Sequence, residues 1–102
     1  MFKGAPIALE VKVRYGHPLR KITRSSEDKM IVDKETTVED LIRMLSKKYG
    51  EEFEIFVSSG VKQKGLPVIF LLNGQNVLNL EGLKTKLCDG CVLTIMPPVA
   101  GG

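Results

Sequence analysis

The C-terminal six residues are the stretch of this sequence best suited to chemistry on the main chain. They read Pro97-Pro98-Val99-Ala100-Gly101-Gly102 and end in a carboxylate on a residue without a side chain. The paired prolines end a preceding strand, because their rings fix φ and remove the N–H that a ladder needs. The small residues that follow suit entry into a narrow channel on another protein, where glycine permits close approach of a backbone or phosphate. The alternative is a frayed terminus or an expression remnant.

Other residues with chemical potential are few. His17 is the only histidine, so a nucleophile–histidine pair has no support from spacing. The segment Cys88-Asp89-Gly90-Cys91 has C-x-x-C spacing, but one such pair supplies two metal ligands rather than four. A redox site of the thioredoxin type would need its first cysteine at a helix N-terminus, whereas this pair flanks an Asp-Gly turn. We therefore predict no metal site, no bound cofactor and no active site belonging to this chain alone.

Composition predicts one globular domain with a mainly aliphatic core. The 102 residues are 43% hydrophobic and 26% charged, with no tryptophan. The longest apolar run, 68–72, is too short to cross a bilayer, and the N-terminus lacks an apolar signal segment. We expect a cytoplasmic protein without membrane association.

The net charge of +3 comes from the first half of the chain. A basic stretch there either steers an acidic partner or is an ordinary solvated surface. Its members are Lys12, Arg14, His17, Arg20, Lys21 and Arg24. No RNA-binding signature accompanies it, and we expect no nucleic-acid partner.

The hydrophobic pattern predicts a strand, a second strand, a helix and then two or three strands. Strict alternation predicts the first strand over 7–15, and 30–32 predicts a short antiparallel partner after a turn over 25–28. A helix should follow a capping box made by Thr36 and Glu39 and end before Gly50. Residues 51–57 fit either a strand or a continued helix, and 58–65 a loop.

The last third predicts short strands joined by tight turns. The run 68–72 is apolar on both faces and suits an interior strand. Asn73-Gly74 predicts a hairpin to a strand at 77–78, and Asp89-Gly90 a turn into a final strand over 91–96. The predicted fold class is α+β: a ubiquitin-like β-grasp with a mixed four- to five-stranded sheet on one main helix. Residues 1–96 would form the domain and 97–102 a flexible tail.

This combination resembles the MoaD/ThiS family of ubiquitin-like sulfur carriers. The resemblance lies in the order of elements, the Asn73-Gly74 hairpin, the segment 80–83, the Asp89-Gly90 turn and the Pro-Pro-Val-Ala-Gly-Gly ending. It is strongest to MoaD, the small subunit of molybdopterin synthase, and archaeal ubiquitin-like modifiers share the plan. Two features depart from the MoaD pattern: the long connection 51–66, and Cys91 where an acidic residue is common.

The resemblance implies a mechanism centred on Gly102. A MoeB/ThiF-type activating enzyme would use ATP to adenylate its carboxylate, and a sulfur donor of the cysteine desulfurase or rhodanese type would convert it to a thiocarboxylate. A MoaE-like large subunit would then take the sulfur for molybdopterin. The partner-binding residues implied are Gly101, Ala100, Val99, Pro98, Met96, Leu80 and Arg14. Conjugation of Gly102 to lysines of target proteins and sulfur transfer to tRNA remain alternatives, as does a non-covalent binding domain.

Overall fold

A five-stranded mixed sheet carries two consecutive helices on one face in a computed structural model that describes residues 8–62 and 68–96. The strands are β1 (Ala8–Tyr15), β2 (Glu27–Asp33), β3 (Ile69–Leu72), β4 (Gln75–Asn76) and β5 (Val92–Met96). The helices are the one-turn α1 (Arg20–Thr23), α2 (Val38–Tyr49) and α3 (Glu51–Lys62), with 3₁₀ turns at His17–Leu19, Val77–Asn79 and Gly82–Lys84. The strand order β2-β1-β5-β3-β4 confirms the predicted β-grasp class.

Strand β5 occupies the centre of the sheet. It pairs in parallel with β1 and antiparallel with β3, while β2 and β4 form the two edges. Alternation along β1 buries Leu9, Val11, Val13 and Tyr15 and exposes the residues between them, as the sequence predicted. Residue Ile7 of the predicted strand lies outside the described residues. The edge strand β2 is longer than predicted, because Glu27 and Asp28 pair with β1 instead of forming a turn.

Helix α2 matches the predicted amphipathic helix, but its cap is shifted by one residue. Thr37, not Thr36, is the N-cap; its hydroxyl accepts from the Asp40 N–H at 3.2 Å, and the Asp40 carboxylate accepts from the Thr37 N–H at 3.1 Å. Thr36 is buried and donates its hydroxyl to Asp33. The prediction of Thr36 and Glu39 was wrong because two threonines in a row each have an acidic residue three positions later, and only burial separates them.

A second helix, α3, settles the ambiguous region after Gly50. Gly50 has φ of 92°, which ends α2 as predicted, and α3 begins at the next residue. Phe53 and Val57 are buried in the core, so residues 51–57 are helical and not a strand. The predicted loop was wrong over 58–62, which continue α3, while 63–65 lie outside the described residues.

The hairpin between β3 and β4 follows the Asn73-Gly74 signal. Both residues have positive φ, 51° and 84°, as a type I′ turn requires. The returning strand is only Gln75–Asn76, and the predicted strand at 77–78 is instead a 3₁₀ turn that buries Val77. The Asn76 side chain accepts the Leu78 N–H at 2.9 Å, which turns the chain away from the sheet immediately.

Candidate functional site

The base of the C-terminal segment lies at the end of the central strand. The predicted reacting residue Gly102 and its predicted neighbours Gly101, Ala100, Val99 and Pro98 lie outside the described residues. Met96, the last residue of β5, pairs with Ile69 of β3 on one side. On the other side, the N–H of Gly16 donates to the Ile95 carbonyl at 2.7 Å. Strands on both sides therefore hold the point from which the segment 97–102 departs.

Parallel pairing brings a basic surface to this same end of the sheet. Because β1 and β5 run in the same direction, the turn after β1 lies beside the end of β5. That turn carries exposed His17, Arg20 and Lys21, and Arg20 donates from Nε to the Tyr15 carbonyl at 2.9 Å. Within residues 8–62 and 68–96, Arg14, Lys21 and Arg24 make no ion pair. Arg14 and the basic turn therefore lie at the end of the sheet where β5 ends.

The face of the sheet opposite the helices carries an apolar group of side chains, which we call the outer patch. Four half-buried residues on two neighbouring strands form it around Thr94, namely Ile69, Leu71, Val92 and Met96. Cross-strand pairing fixes the arrangement: Ile69 lies opposite Met96, and Thr94 lies opposite Leu71 and Arg14. The structure thus brings together two predicted partner-binding residues, Met96 and Arg14.

Leu80 lies apart from this pairing. It follows the 3₁₀ turn after the edge strand β4, is 39% exposed, and donates its N–H to the Val77 carbonyl at 2.9 Å. Leu78 beside it is 77% exposed, a larger value than for the other large hydrophobic side chains that the structure describes. No pairing contact joins Leu80 to Met96, and the predicted role of Leu80 stays a prediction.

Sequence reasoning missed most of the outer patch. The run 68–72 was predicted as an interior strand apolar on both faces, and residues 91–96 as the final strand. The sequence did contain a signal for the patch. In a sheet that helices cover on one face only, apolar residues on the other face are not needed for the core. What the pattern could not supply was the register that sets Leu71 beside Thr94 and Ile69 beside Met96.

A cleft lies beside the start of α2. It has a volume of about 350 Å³ and is lined by Asp33, Glu35, Thr36, Asp40, Arg43, Met44 and Lys47. Among its lining residues, Arg43 contacts the Asp40 carboxylate at 3.4 Å, and Glu35 pairs with Lys86 at 2.8 Å. The cleft lies at the far end of β2 from the C-terminal segment, because Asp33 pairs with Ala8 at the start of β1.

The described residues contain neither a candidate metal site nor a candidate membrane-spanning helix. No group of three or more His, Cys, Asp or Glu side chains in residues 8–62 and 68–96 could hold a metal ion. None of the helices in those ranges is long and apolar enough to cross a membrane.

Comparison with known proteins agrees with this arrangement. The model of the ThiS family matches residues 13–102. Small archaeal modifier protein 3 of Haloferax volcanii is 31% identical over 94 residues, covering 92% of this chain and 100% of that protein. A protein of Archaeoglobus fulgidus named "Putative sulfur carrier protein" is 38% identical over 66 residues, covering 65% of this chain and 74% of that protein. The solution structure of small archaeal modifier protein 1 from Methanosarcina acetivorans superposes with a TM-score of 0.73 at 29% identity, covering 94% and 99% of the two chains.

Proposed function

This chain belongs to the ThiS family of ubiquitin-like sulfur carriers, and we propose that it delivers sulfur from a thiocarboxylate on Gly102 to a pterin precursor of the molybdenum cofactor. The observation that carries the proposal is the family match, which extends through residue 102 and includes the whole of β5. Carriers of this family generally work with E1-like activating enzymes. The chain would therefore act as the small subunit of a larger complex and not as an enzyme alone.

The chemistry requires activation because a carboxylate resists nucleophilic attack. Its negative charge repels the nucleophile, and oxide is too poor a leaving group. Transfer of AMP from ATP to the Gly102 carboxylate releases pyrophosphate and creates a phosphate leaving group. A persulfide on the sulfur donor then attacks the carbonyl and expels AMP. A second thiol of the donor cleaves the resulting acyl disulfide, which leaves the thiocarboxylate on Gly102 and a disulfide on the donor.

The outer patch and Arg14 suit docking of the activating enzyme or of a MoaE-like large subunit. Protein interfaces typically have apolar side chains at the centre and polar or charged ones at the rim. The patch includes Met96, the residue before the segment 97–102, so a partner seated on it would receive that segment directly. The exposed basic residues nearby favour a partner surface that is acidic, and such charges mainly raise the association rate.

The decisive experiment measures thiocarboxylate formation on the full chain. The protein is incubated with ATP, an E1-like activating enzyme and a persulfide donor, and its intact mass is recorded. We expect the replacement of one oxygen by one sulfur, and no change when Gly101 and Gly102 are deleted. The positive control is an activating enzyme that is shown to thiolate another carrier. If the mass of the wild-type chain stays unchanged with that enzyme, the proposal is refuted. Release of this sulfur to a pyranopterin substrate with a MoaE-like subunit then tests the acceptor.

Docking through the outer patch is tested by Met96→Asp. A carboxylate at a desolvated interface position should lower the rate of adenylation about 30-fold, equivalent to about 2 kcal/mol. The matched control is Ile31→Asp, an exposed apolar residue on the same face of edge strand β2 near the opposite end of the sheet. Equal losses of rate in both variants, or none in Met96→Asp, would exclude the outer patch as the docking site.

Protein modification is the second candidate, and one specific observation favours it. The relative of Haloferax volcanii, matched over its full length, is named as a small archaeal modifier. An adenylated Gly102 can meet a lysine amine instead of a persulfide, forming an amide with loss of AMP. Conjugates that require Gly102 and contain a branched peptide at a target lysine would establish this function. It is compatible with sulfur transfer, because both begin with the same adenylate.

A further inference from the structure

Two cysteines lie near the opposite end of β5 from the C-terminal segment and have no role in the proposed function. Cys88 is exposed, Cys91 is buried, and neither is in a disulfide. They bracket a tight turn, in which the Cys91 N–H donates to the Cys88 carbonyl at 3.2 Å. Gly90, the third residue of the turn, has φ of 81°, as a type II turn requires.

The turn holds the Cys91 sulfur against the backbone of Cys88. Cys91 Sγ accepts the Cys88 N–H at 3.1 Å and donates to the Cys88 carbonyl at 2.9 Å. With an N–Cα bond of about 1.46 Å, Sγ of Cys91 lies within about 4.6 Å of Cα of Cys88. The Cα atoms at the two ends of a tight turn are less than about 7 Å apart, which overlaps the range of about 4.4–6.8 Å found in disulfides. The two residues are therefore within bonding reach.

To form a disulfide, only the exposed side chain of Cys88 has to move. Sγ of Cys88 lies 4.0 Å from Nδ2 of Asn73, on the surface. The turn backbone is fixed to β1, because Gly90 donates to the Glu10 carbonyl at 2.7 Å and the Asp89 carboxylate accepts the Glu10 N–H at 2.8 Å. Rotation of the Cys88 side chain from Asn73 toward Cys91 can then join the sulfurs while the turn stays in place.

We propose that Cys88 and Cys91 form a reversible disulfide by exchange with a low-molecular-weight disulfide. The Cys88 thiolate attacks one sulfur of that disulfide and expels the first small thiol. The Cys91 thiol then loses its proton to solvent, and its sulfur attacks the Cys88 sulfur of the mixed disulfide, expelling the second small thiol. The two protein thiols are oxidised together by two electrons, and the small disulfide is reduced to two thiols.

The environments of the two sulfurs set the order of these steps. Burial, followed by interaction with the Cys88 side chain, raises the pKa of the Cys91 thiol to about 11. Cys91 is therefore a poor first nucleophile at neutral pH, whereas Cys88 is open to solvent. Exchange should therefore begin at Cys88, and resolution of the mixed disulfide by Cys91 should become faster as the pH is raised, because the attacking species is the thiolate.

The test uses the reduced full chain and oxidised glutathione. We expect the wild-type mass to fall by two hydrogens, with both thiols lost to alkylation and recovered by dithiothreitol. Cys91→Ala should stop at a glutathione adduct, and Cys88→Ser should gain neither adduct nor disulfide. A wild-type chain that stays reduced, stops at the adduct or crosslinks to a second copy would overturn the proposal. Cys88→Ser changes an exposed side chain, so the comparison survives if Cys91→Ala fails to fold.

The disulfide is independent of the sulfur-carrier proposal. Deletion of Gly101 and Gly102, which abolishes thiocarboxylate formation, should leave the oxidation of Cys88 and Cys91 unchanged. A requirement for the two glycines would mean that the thiols react with the C-terminal segment, and the proposal would be wrong. NMR shift changes on oxidation should centre on 88–92 and on Asn73, whose side chain loses its contact with Cys88.

Discussion

The carboxylate of Asp28 joins the end of helix α2 to the sheet. It accepts hydrogen bonds from the phenols of Tyr15, at 2.7 Å, and Tyr49, both at Oδ2. Lys48 donates to Oδ1 at 3.1 Å, and the Asp28 side chain is only 15% exposed. Burial, followed by interaction with Asp28, raises the pKa of Tyr15, so its phenol remains a hydrogen-bond donor.

The variant Asp28→Asn removes the charge while keeping an oxygen for the two phenols. Hydrogen bonds to charged groups contribute about 1.5–3 kcal/mol and neutral ones about 0.5–1.5 kcal/mol. Each phenol bond should therefore weaken by about 1 kcal/mol, and the free energy of unfolding at pH 7 should fall by about 2 kcal/mol. Urea denaturation followed by circular dichroism measures this loss.

The pH dependence of the loss identifies the carboxylate as its source. Partial burial opposes ionisation of Asp28, but hydrogen bonds from Tyr49, Tyr15 and Lys48 outweigh it and lower the pKa. Because the folded pKa lies below the unfolded value of about 3.9, the stabilisation is complete above about pH 5 and is lost as the pH falls through the folded value. The difference between wild type and Asp28→Asn should therefore shrink toward pH 2.

The control is Glu10→Gln, the same chemical change on the exposed face of the sheet. Glu10 contacts Lys29 at 3.4 Å, with both side chains more than half exposed. Its loss should cost less than about 0.5 kcal/mol. The reasoning fails if Asp28→Asn costs no more than this control, or if its cost stays constant from pH 7 to pH 2.

Three further predictions concern the helices and the hairpin. Thr37→Ala should lower the free energy of unfolding by about 1 kcal/mol through loss of the α2 cap; an equal loss in Glu39→Ala would contradict the assigned cap. Phe53→Ala should cost about 3–5 kcal/mol, whereas exposed Ile55→Ala on the same helix should cost little, both by urea denaturation. Gly74→Ala should cost about 1 kcal/mol through its positive φ alone, because no atom blocks a Cβ there; a thermal scan that shows no loss would argue against the type I′ turn.

Local signals identified several elements before any packing was known. The alternation of β1 and the Asn73-Gly74 turn depend on neighbours in sequence, and both were predicted where the structure has them. The stop at Gly50 was also local, since its positive φ suits glycine. Helix α3 was not predictable from the same rules. Phe53, Ile55 and Val57 alternate as in a strand, and burial of Phe53 and Val57 against the sheet decided for a helix.

The sequence by itself determined the fold class, the family resemblance and the candidate reacting residue Gly102, because turn residues, periodicity and the terminal motif are local properties. Only the tertiary structure decided which surfaces accompany that terminus. The parallel pairing of β1 with β5 brings Arg14 and the basic turn to the end of β5, and the register with β3 completes the outer patch. Such neighbours come from strand order and register, which join residues distant in the chain and leave no mark at either position alone.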